Sequence, residues 1–297
     1  MTVIEDSANV RFAEHGYDSP IVEISFALAS QRDKVWHASG TAVVIAPFLL
    51  LTAKHVVEHH WSKFEKSDLP VEGEGHFLLY ARHYHSSPDV GIIWTVTRFW
   101  THQTSDLALL FIQSGAPECA GYTWKLPQLQ LIPPKIGTKV SAFGYRESTT
   151  IVDRSQDSSL KVTWNEKPTT SQGTVTELYP DRRDSVMLNF PSFQTNARFE
   201  PGMSGGPIFS ELGELVGIVC TGLASAGLVE PVSTATSLWP LMGLCLRIRL
   251  EGDPEEREYS VRDLADRNIV HTKNLDKVSV TRNGNQVNTI LTTAIAG

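Results

Sequence analysis

The sequence predicts an all-β protein built as a sandwich or barrel, with its strands in two halves of similar size. Three observations carry this. Most apolar runs are short, rich in β-branched residues and bounded by turn residues. Helical periodicity is confined to two places, one just after His55 and one from about Thr234 to Arg249, where Pro240 either starts or kinks the helix. The stretch Lys125–Lys135 carries Pro127, Pro133 and Pro134, which favours extended chain with few ladder donors and marks a linker.

The runs follow in order. Ile21–Leu28 alternates loosely. Gly40–Ala46 and Phe48–Thr52 are split by Pro47. His76–Tyr80, Val90–Val96, Leu107–Ile112, Lys139–Phe143, Lys161–Trp164 and Gly173–Leu178 continue the series. Ser185–Phe190, Pro207–Phe209 and Glu214–Cys220 complete it. After Leu250 the composition shifts to the charged segment Glu251–Glu258. Beyond it, Val278–Thr281 and Val287–Leu291 flank Asn283-Gly284-Asn285, a hairpin signal because Asn-Gly supplies the positive-φ residues of a tight turn. The expected division is 1–125, 126–250 and a C-terminal extension, 251–297.

Composition sets further bounds. A chain of 297 residues, 41% hydrophobic, buries roughly three quarters of its unfolded surface and folds without disulfide or metal. The net charge of −7 argues against a nucleic-acid partner held by phosphate contacts. Cys119, Cys220 and Cys245 form no CxxC or Cys/His zinc pattern, so neither cofactor nor metal is expected. The acidic start lacks the features of a signal peptide. The apolar runs Val43–Leu51 and Leu238–Leu246 are broken by Pro47 and Pro240 and fall short of the ~20 residues that span a bilayer. The expectation is a cytoplasmic protein without a membrane partner.

Three segments carry chemistry. In Leu51-Thr-Ala-Lys-His55-Val-Val a histidine follows an apolar strand at the start of a helical turn. In Thr104-Ser-Asp106-Leu-Ala-Leu-Leu an aspartate precedes an apolar strand. Each alone also reads as a local structural residue, a satisfied histidine or a turn-capping aspartate. In Glu200-Pro-Gly-Met-Ser204-Gly-Gly-Pro-Ile-Phe one serine stands among three glycines and two prolines. A plain glycine-rich turn is one reading. The other is a nucleophile loop. There Gly202 lets the backbone turn an N–H into a cavity, and the N–H groups of Gly202 and Ser204 form an oxyanion hole. A serine hydroxyl needs a neighbouring imidazole to take its proton, and a carboxylate to fix the imidazole tautomer. Together the segments supply base, orienter and nucleophile in the order His55, Asp106, Ser204.

With these blocks in place, the chain resembles the trypsin-like serine peptidases of chymotrypsin fold, whose signatures are Thr-Ala-x-His, Asp-Leu-Ala-Leu and Gly-x-Ser-Gly-Gly-Pro in that order. The resemblance runs from about Val22 to Leu250. It implies two six-stranded antiparallel barrels, a C-terminal helix, and a site in the cleft between the barrels. It also implies a polypeptide substrate and a mechanism through an acyl-enzyme. Under it His55 is the general base, Asp106 orients it and Ser204 attacks. Leu215–Leu223 resembles the strand that pairs with the substrate backbone, at Cys220, Thr221 and Gly222. Arg198, six residues before the serine, takes the pocket-base position, which implies a preference for acidic side chains; the other reading is a solvated arginine outside the site. Val56 stands where secreted members have a cysteine, and Met203 where they have an aspartate that pairs with a new N-terminus. Both resemble disulfide-free bacterial members.

Two rivals remain. One is a catalytically silent or latent peptide-binding module of the same fold. The other is a zinc peptidase, because His55-Val-Val-Glu58-His59 matches H-x-x-E-H. An active peptidase in the cytoplasm also implies narrow specificity or regulation, by the tail or by a partner protein.

Overall fold

The computed structural model describes residues 2–6, 10–32, 35–61, 78–84, 91–113, 122–154, 160–223, 232–284 and 286–292. The chain opens with a hairpin, β1 (Thr2–Asp6) and β2 (Val10–Glu14), and a single helical turn, α1 (Pro20–Glu23). Pro20 at the start of α1 fixes a helical φ where no N–H partner is needed. The loose alternation read over Ile21–Leu28 is therefore this turn followed by a strand.

Six strands then close into a barrel: β3 (Ser25–Arg32), β4 (Val35–Ala46), β5 (Leu49–Thr52), β6 (Leu78–Tyr84), β7 (Gly91–Thr101) and β8 (Ala108–Gln113). Around the ring the order is β3-β4-β5-β8-β7-β6. Each pair is antiparallel, with Leu51 opposite Leu109 and Leu50 opposite Leu110 at the β5–β8 seam. All four residues of β5 are buried, which is why it reads as a continuous apolar run rather than an alternation. Between β5 and β6 lies helix α2 (Lys54–Trp61).

The proline-rich linker runs mostly without regular structure and contributes a two-residue strand, β9 (Leu129–Gln130). A second barrel follows: β10 (Lys139–Arg154), β11 (Leu160–Tyr179), β12 (Ser192–Thr195), β13 (Pro207–Ser210), β14 (Leu215–Leu223) and β15 (Val232–Ser237). The path β11-β10-β13-β14-β15-β12 closes because β12 also pairs with β11. β2 joins this sheet along β11. Ser185–Phe190 is irregular rather than a strand. Asp184 Oδ1 accepts N–H bonds from Val186, Met187 and Leu188 and so bends the chain there.

The helix expected over 234–249 is absent. That stretch is the end of β15, a 3₁₀ turn at Trp239–Gly243 and β16 (Cys245–Ile248). Its apolar run is buried all round, and such a run carries no period that separates helix from strand. The extension holds β17 (Arg257–Ser260), α3 (Val261–Asp266), β18 (Thr272–Lys273), β19 (Val278–Asn283) and β20 (Gln286–Leu291). β19 and β20 form the expected hairpin, but Asn283 ends the ladder opposite Gln286, and it is Gly284, at φ +58°, that opens the turn. The extension is not a loose tail. Tyr259, Val261, Leu264, Val270 and Val278 belong to one apolar core with the residues of the first barrel. β18 pairs with β9 of the linker.

Two further connections fix the barrels against each other. Arg82 of β6 and Glu166 of β11 form a buried ion pair, with the guanidinium 3.8 Å from the Trp164 ring. Tyr145 donates its hydroxyl to the Ser25 carbonyl at 3.1 Å. Removing one member of a buried ion pair leaves an uncompensated charge, which costs about 3–5 kcal/mol.

Candidate active site

The candidate base and orienter come from the first barrel. β5 ends at Thr52 and α2 begins at Lys54, so His55 stands at the lip of the barrel on the first turn of a helix. Asp106 lies in the loop between β7 and β8. Both its carboxylate oxygens are engaged by His55: Oδ1 accepts the backbone N–H at 2.9 Å, and Oδ2 accepts from Nδ1 at 2.8 Å. An ionised carboxylate only accepts, so the proton of the neutral ring sits on Nδ1 and the lone pair is on Nε2. The Asp106 side chain is 8% exposed and that of His55 is 44% exposed. The carboxylate is therefore shielded, while the imidazole reaches the surface where a reacting group would be met.

Cys220 completes this cluster. A β-bulge interrupts the β14–β15 register between Val219 and Thr221, and Cys220 is the extra residue. Bulges re-aim a side chain, and here the thiol meets the Asp106 carboxylate. Burial first, then the Asp106 charge and hydrogen bond, push the Cys220 thiol well up, so it stays protonated and donates to the carboxylate. The ligand atoms of His55, Asp106 and Cys220 lie within 4.8 Å of one another. A metal there would need a deprotonated Nδ1, which the bond to Asp106 opposes, and a thiolate, which burial opposes. In the rival zinc motif Glu58 pairs with Lys54 at 3.5 Å. The side chain of His59 lies outside the described residues.

The serine loop comes from the second barrel and is shaped by its backbone. The Met203 N–H donates to the Glu200 carbonyl at 3.0 Å, closing a turn with Pro201 and Gly202 at its centre. Gly202 has φ +94°, the left-handed value that a type II turn requires at that position. A second turn follows, with the Gly206 N–H donating to the Met203 carbonyl at 2.9 Å. At its centre Gly205 has φ +82°. A Cβ on Gly205 would lie 2.1 Å from Thr52 Oγ1 and 2.3 Å from the Thr41 carbonyl. Only glycine lets the loop seat this closely on the strand that leads to His55.

Thr41 of β4 holds the loop from the first barrel. Its Oγ1–H donates to the Gly202 carbonyl and its N–H donates to the Ser204 carbonyl, each at 2.8 Å. A Cβ on Gly40 would meet the Ser204 carbonyl at 2.7 Å and the Val56 methyls at 3.0 Å. Gly40 thus lies against both the Ser204 carbonyl and the residue that follows His55. The structure brings His55, Asp106 and Cys220 into direct contact. It brings Ser204 to the same edge through its main chain, and no hydrogen bond joins the Ser204 hydroxyl to His55 among the described contacts. Met203 is fully buried in the second-barrel core, so an apolar anchor stands where secreted relatives use an ion pair.

Gly222 closes one wall of the site region. A Cβ there would lie 2.6 Å from the Phe199 carbonyl, so the end of β14 runs directly beside residues 198–200. Thr221 is half-buried and Gly222 exposed. Arg198 pairs with Glu200 at 2.5 Å and lies over the Phe12 ring at 5.9 Å. That pairing offsets the free positive charge on which an acidic preference depends. Thr41, engaged with the serine loop, escaped the sequence reading, and His102, engaged with the Asp106 loop, reads from the sequence as a surface or core residue rather than a ligand. Thr41 lies inside a β-rich run with nothing to distinguish it, and His102 is one of ten histidines.

A family model described as trypsin-like peptidase domain matches residues 40–218, more than half of the chain. The protein belongs to the trypsin-like peptidase family. Among solved structures the chain is similar to the MamO protease domain of Magnetospirillum magneticum in its apo form, at 15% identity and TM-score 0.44 over 73% of this chain and 93% of that one. It is similar to neuropsin, a serine protease of mouse brain, at 18% identity and TM-score 0.47 over 72% and 89%. It is also similar to the HtrA-type protease AlgW solved with a decapeptide, at 17% identity and TM-score 0.44 over 75% and 63%. No curated protein sequence matches the chain.

Proposed function

We propose that this trypsin-like peptidase is a serine endopeptidase in which Ser204 is the nucleophile, His55 the general base and Asp106 the group that orients it. The two-point grip of the Asp106 carboxylate on His55 carries this reading. It leaves Nε2 as the basic nitrogen of the ring.

Ser204 Oγ attacks the scissile carbonyl carbon while its proton passes to His55 Nε2. The tetrahedral oxyanion is received by the N–H groups of Gly202 and Ser204, an assignment supported by the left-handed φ of Gly202. The imidazolium then protonates the leaving amine, the C–N bond breaks, and the acyl ester on Ser204 is hydrolysed by water through the same base. The substrate chain extends along the end of β14 at Cys220, Thr221 and Gly222, adding as a strand.

A fluorophosphonate probe tests the reading. The full chain is expected to gain one adduct, located at Ser204 by peptide mass, and Ser204→Ala to gain none. Labelling of the Ser204→Ala variant at the wild-type rate would remove Ser204 as nucleophile. The missing hydrogen bond between the Ser204 hydroxyl and His55 favours a second reading, a latent enzyme that aligns on binding peptide. It predicts labelling only when a substrate peptide is present. The core role of residues 251–297 makes deletion of the extension an unsuitable test of regulation, since it would open the apolar core.

A further inference from the structure

The loop that carries Asp106 is short and exposed at its tip, Gln103 and Thr104. Its last residue, Leu107, is buried in the core, and polar contacts must fix the rest. The loop spans the gap between β7, which ends at Thr101, and β8, which begins at Ala108. Its ends are tied by the His102 N–H donating to the Leu107 carbonyl at 2.8 Å. Its interior is organised by one side-chain atom. His102 Nδ1 accepts the Ser105 N–H at 3.1 Å, the Thr104 N–H at 3.3 Å and the Ser105 hydroxyl at 2.8 Å. Asp106 is the next residue. This is the bonding pattern of an Asx turn, in which a side-chain acceptor at one residue takes the N–H groups two and three residues on, with an imidazole in place of the usual carboxamide.

We infer that His102 is a positioning residue for the proposed catalytic aspartate, holding the Asp106 loop through its Nδ1 lone pair. The inference rests on the proposed function for its consequence in catalysis, and on the three hydrogen bonds for its structural content. It requires a neutral ring with the proton on Nε2, because protonated Nδ1 would confront the two N–H donors. The surroundings favour that form. Burial, with the Lys54 charge as a second cause, lowers the His102 pKa to about 4. Lys54 is the cation facing it from α2. From the extension, Glu258 and Arg282 face it across a cavity of about 420 Å³ that Cys245 also lines. Those two residues pair with each other, so their charges largely offset.

The experiment compares two substitutions in the full chain. His102→Leu keeps bulk and removes the acceptor. His102→Asn keeps an acceptor, Oδ1, the same number of bonds from the main chain as Nδ1. Two signals are read besides the rate of fluorophosphonate labelling: amide exchange at Thr104 and Ser105, and the downfield proton resonance of His55 Nδ1–H. His102→Leu is expected to slow labelling at least tenfold, to speed exchange of both amides, and to weaken the downfield resonance. His102→Asn is expected to restore all three to within about threefold of wild type. Labelling should fall between about pH 5 and 3 in wild type with one more protonation step than in His102→Asn.

Unchanged exchange at Thr104 and Ser105 in His102→Leu overturns the inference. So does a labelling loss that His102→Asn fails to restore, since that would mark a residue needed for bulk alone. If wild-type protein takes no label at all, the proposed function fails. The exchange and resonance measurements then still decide whether His102 holds the loop.

Discussion

The two arms of the candidate site are held by different forces. The arm from the first barrel is a set of side-chain hydrogen bonds: Asp106 takes two from His55 and one from Cys220, and the loop beneath it hangs on His102. The arm from the second barrel is a set of backbone turns. Gly202 and Gly205 give it shape, Met203 anchors it in the core, and Thr41 reaches across to fasten its carbonyls. In the first arm chemistry and support share the same atoms. In the second, the hydroxyl proposed to react is carried by a frame that makes no use of it. The first arm should therefore lose rate without losing fold, and the second should lose fold together with rate.

The largest expected effect falls on the first arm. Asp106→Asn preserves size and burial, but a carboxamide presents N–H where Oδ2 accepts, so the His55 tautomer that leaves Nε2 basic is no longer favoured. Labelling is expected to fall about 10⁴-fold, the loss found for such a substitution in a Ser-His-Asp site. The melting temperature should drop by only a few degrees. A variant that unfolds outright would show that the carboxylate holds the loop as well as the base, and would erase the contrast between the arms.

The second arm is broken by Gly205→Ala. The new methyl would meet Thr52 Oγ1 and the Thr41 carbonyl well inside contact distance, at a φ that L-residues rarely adopt. One of those neighbours is backbone in a closed barrel and cannot give way. We expect destabilisation of about 3 kcal/mol, the upper range for combined strain and overpacking, seen as a lowered denaturant midpoint, together with loss of labelling. Full stability with lost labelling would mean that the frame adapts and that the arms differ less than the contacts indicate.

What could be read from the sequence follows the same division. The proposed catalytic side chains sit in short blocks, and their order, with the resemblance to trypsin-like peptidases, pointed to His55, Asp106 and Ser204. The barrel strands were legible because apolar runs bounded by turns encode them. The hairpin β19–β20 was legible because Gly284 marks its turn, although Asn283 belongs to the ladder rather than to the turn. The extension's place in the core was not. Tyr259, Val261, Leu264, Val270 and Val278 follow no single period, and the core they join is shared with strands more than a hundred positions away. The helix expected over 234–249 failed because a run buried on all sides looks alike in either conformation. Thr41 was invisible for a related reason: its role is to bond carbonyls some 160 residues distant, and the sequence records no main-chain partners.

The smallest effect sharpens the comparison most, because it alters one donor within the first arm. Cys220 gives Asp106 a thiol proton, a weak donor, in a site where a hydroxyl would bond more strongly. Cys220→Ser keeps the geometry of the bulge and replaces the weak donor by a better one, at the cost of burying a more polar group. Labelling at neutral pH is expected to change by less than about fivefold and stability by about 1 kcal/mol. The wild-type thiol should resist iodoacetamide at pH 8 in the native state, since burial and the Asp106 charge hold it protonated, and should react once the chain is unfolded. Rapid native alkylation at Cys220 would mean that the thiol is open and ionised. The Asp106 carboxylate would then face a second negative charge rather than a donor, and the electrostatic account of the first arm would have to be rebuilt from that fact.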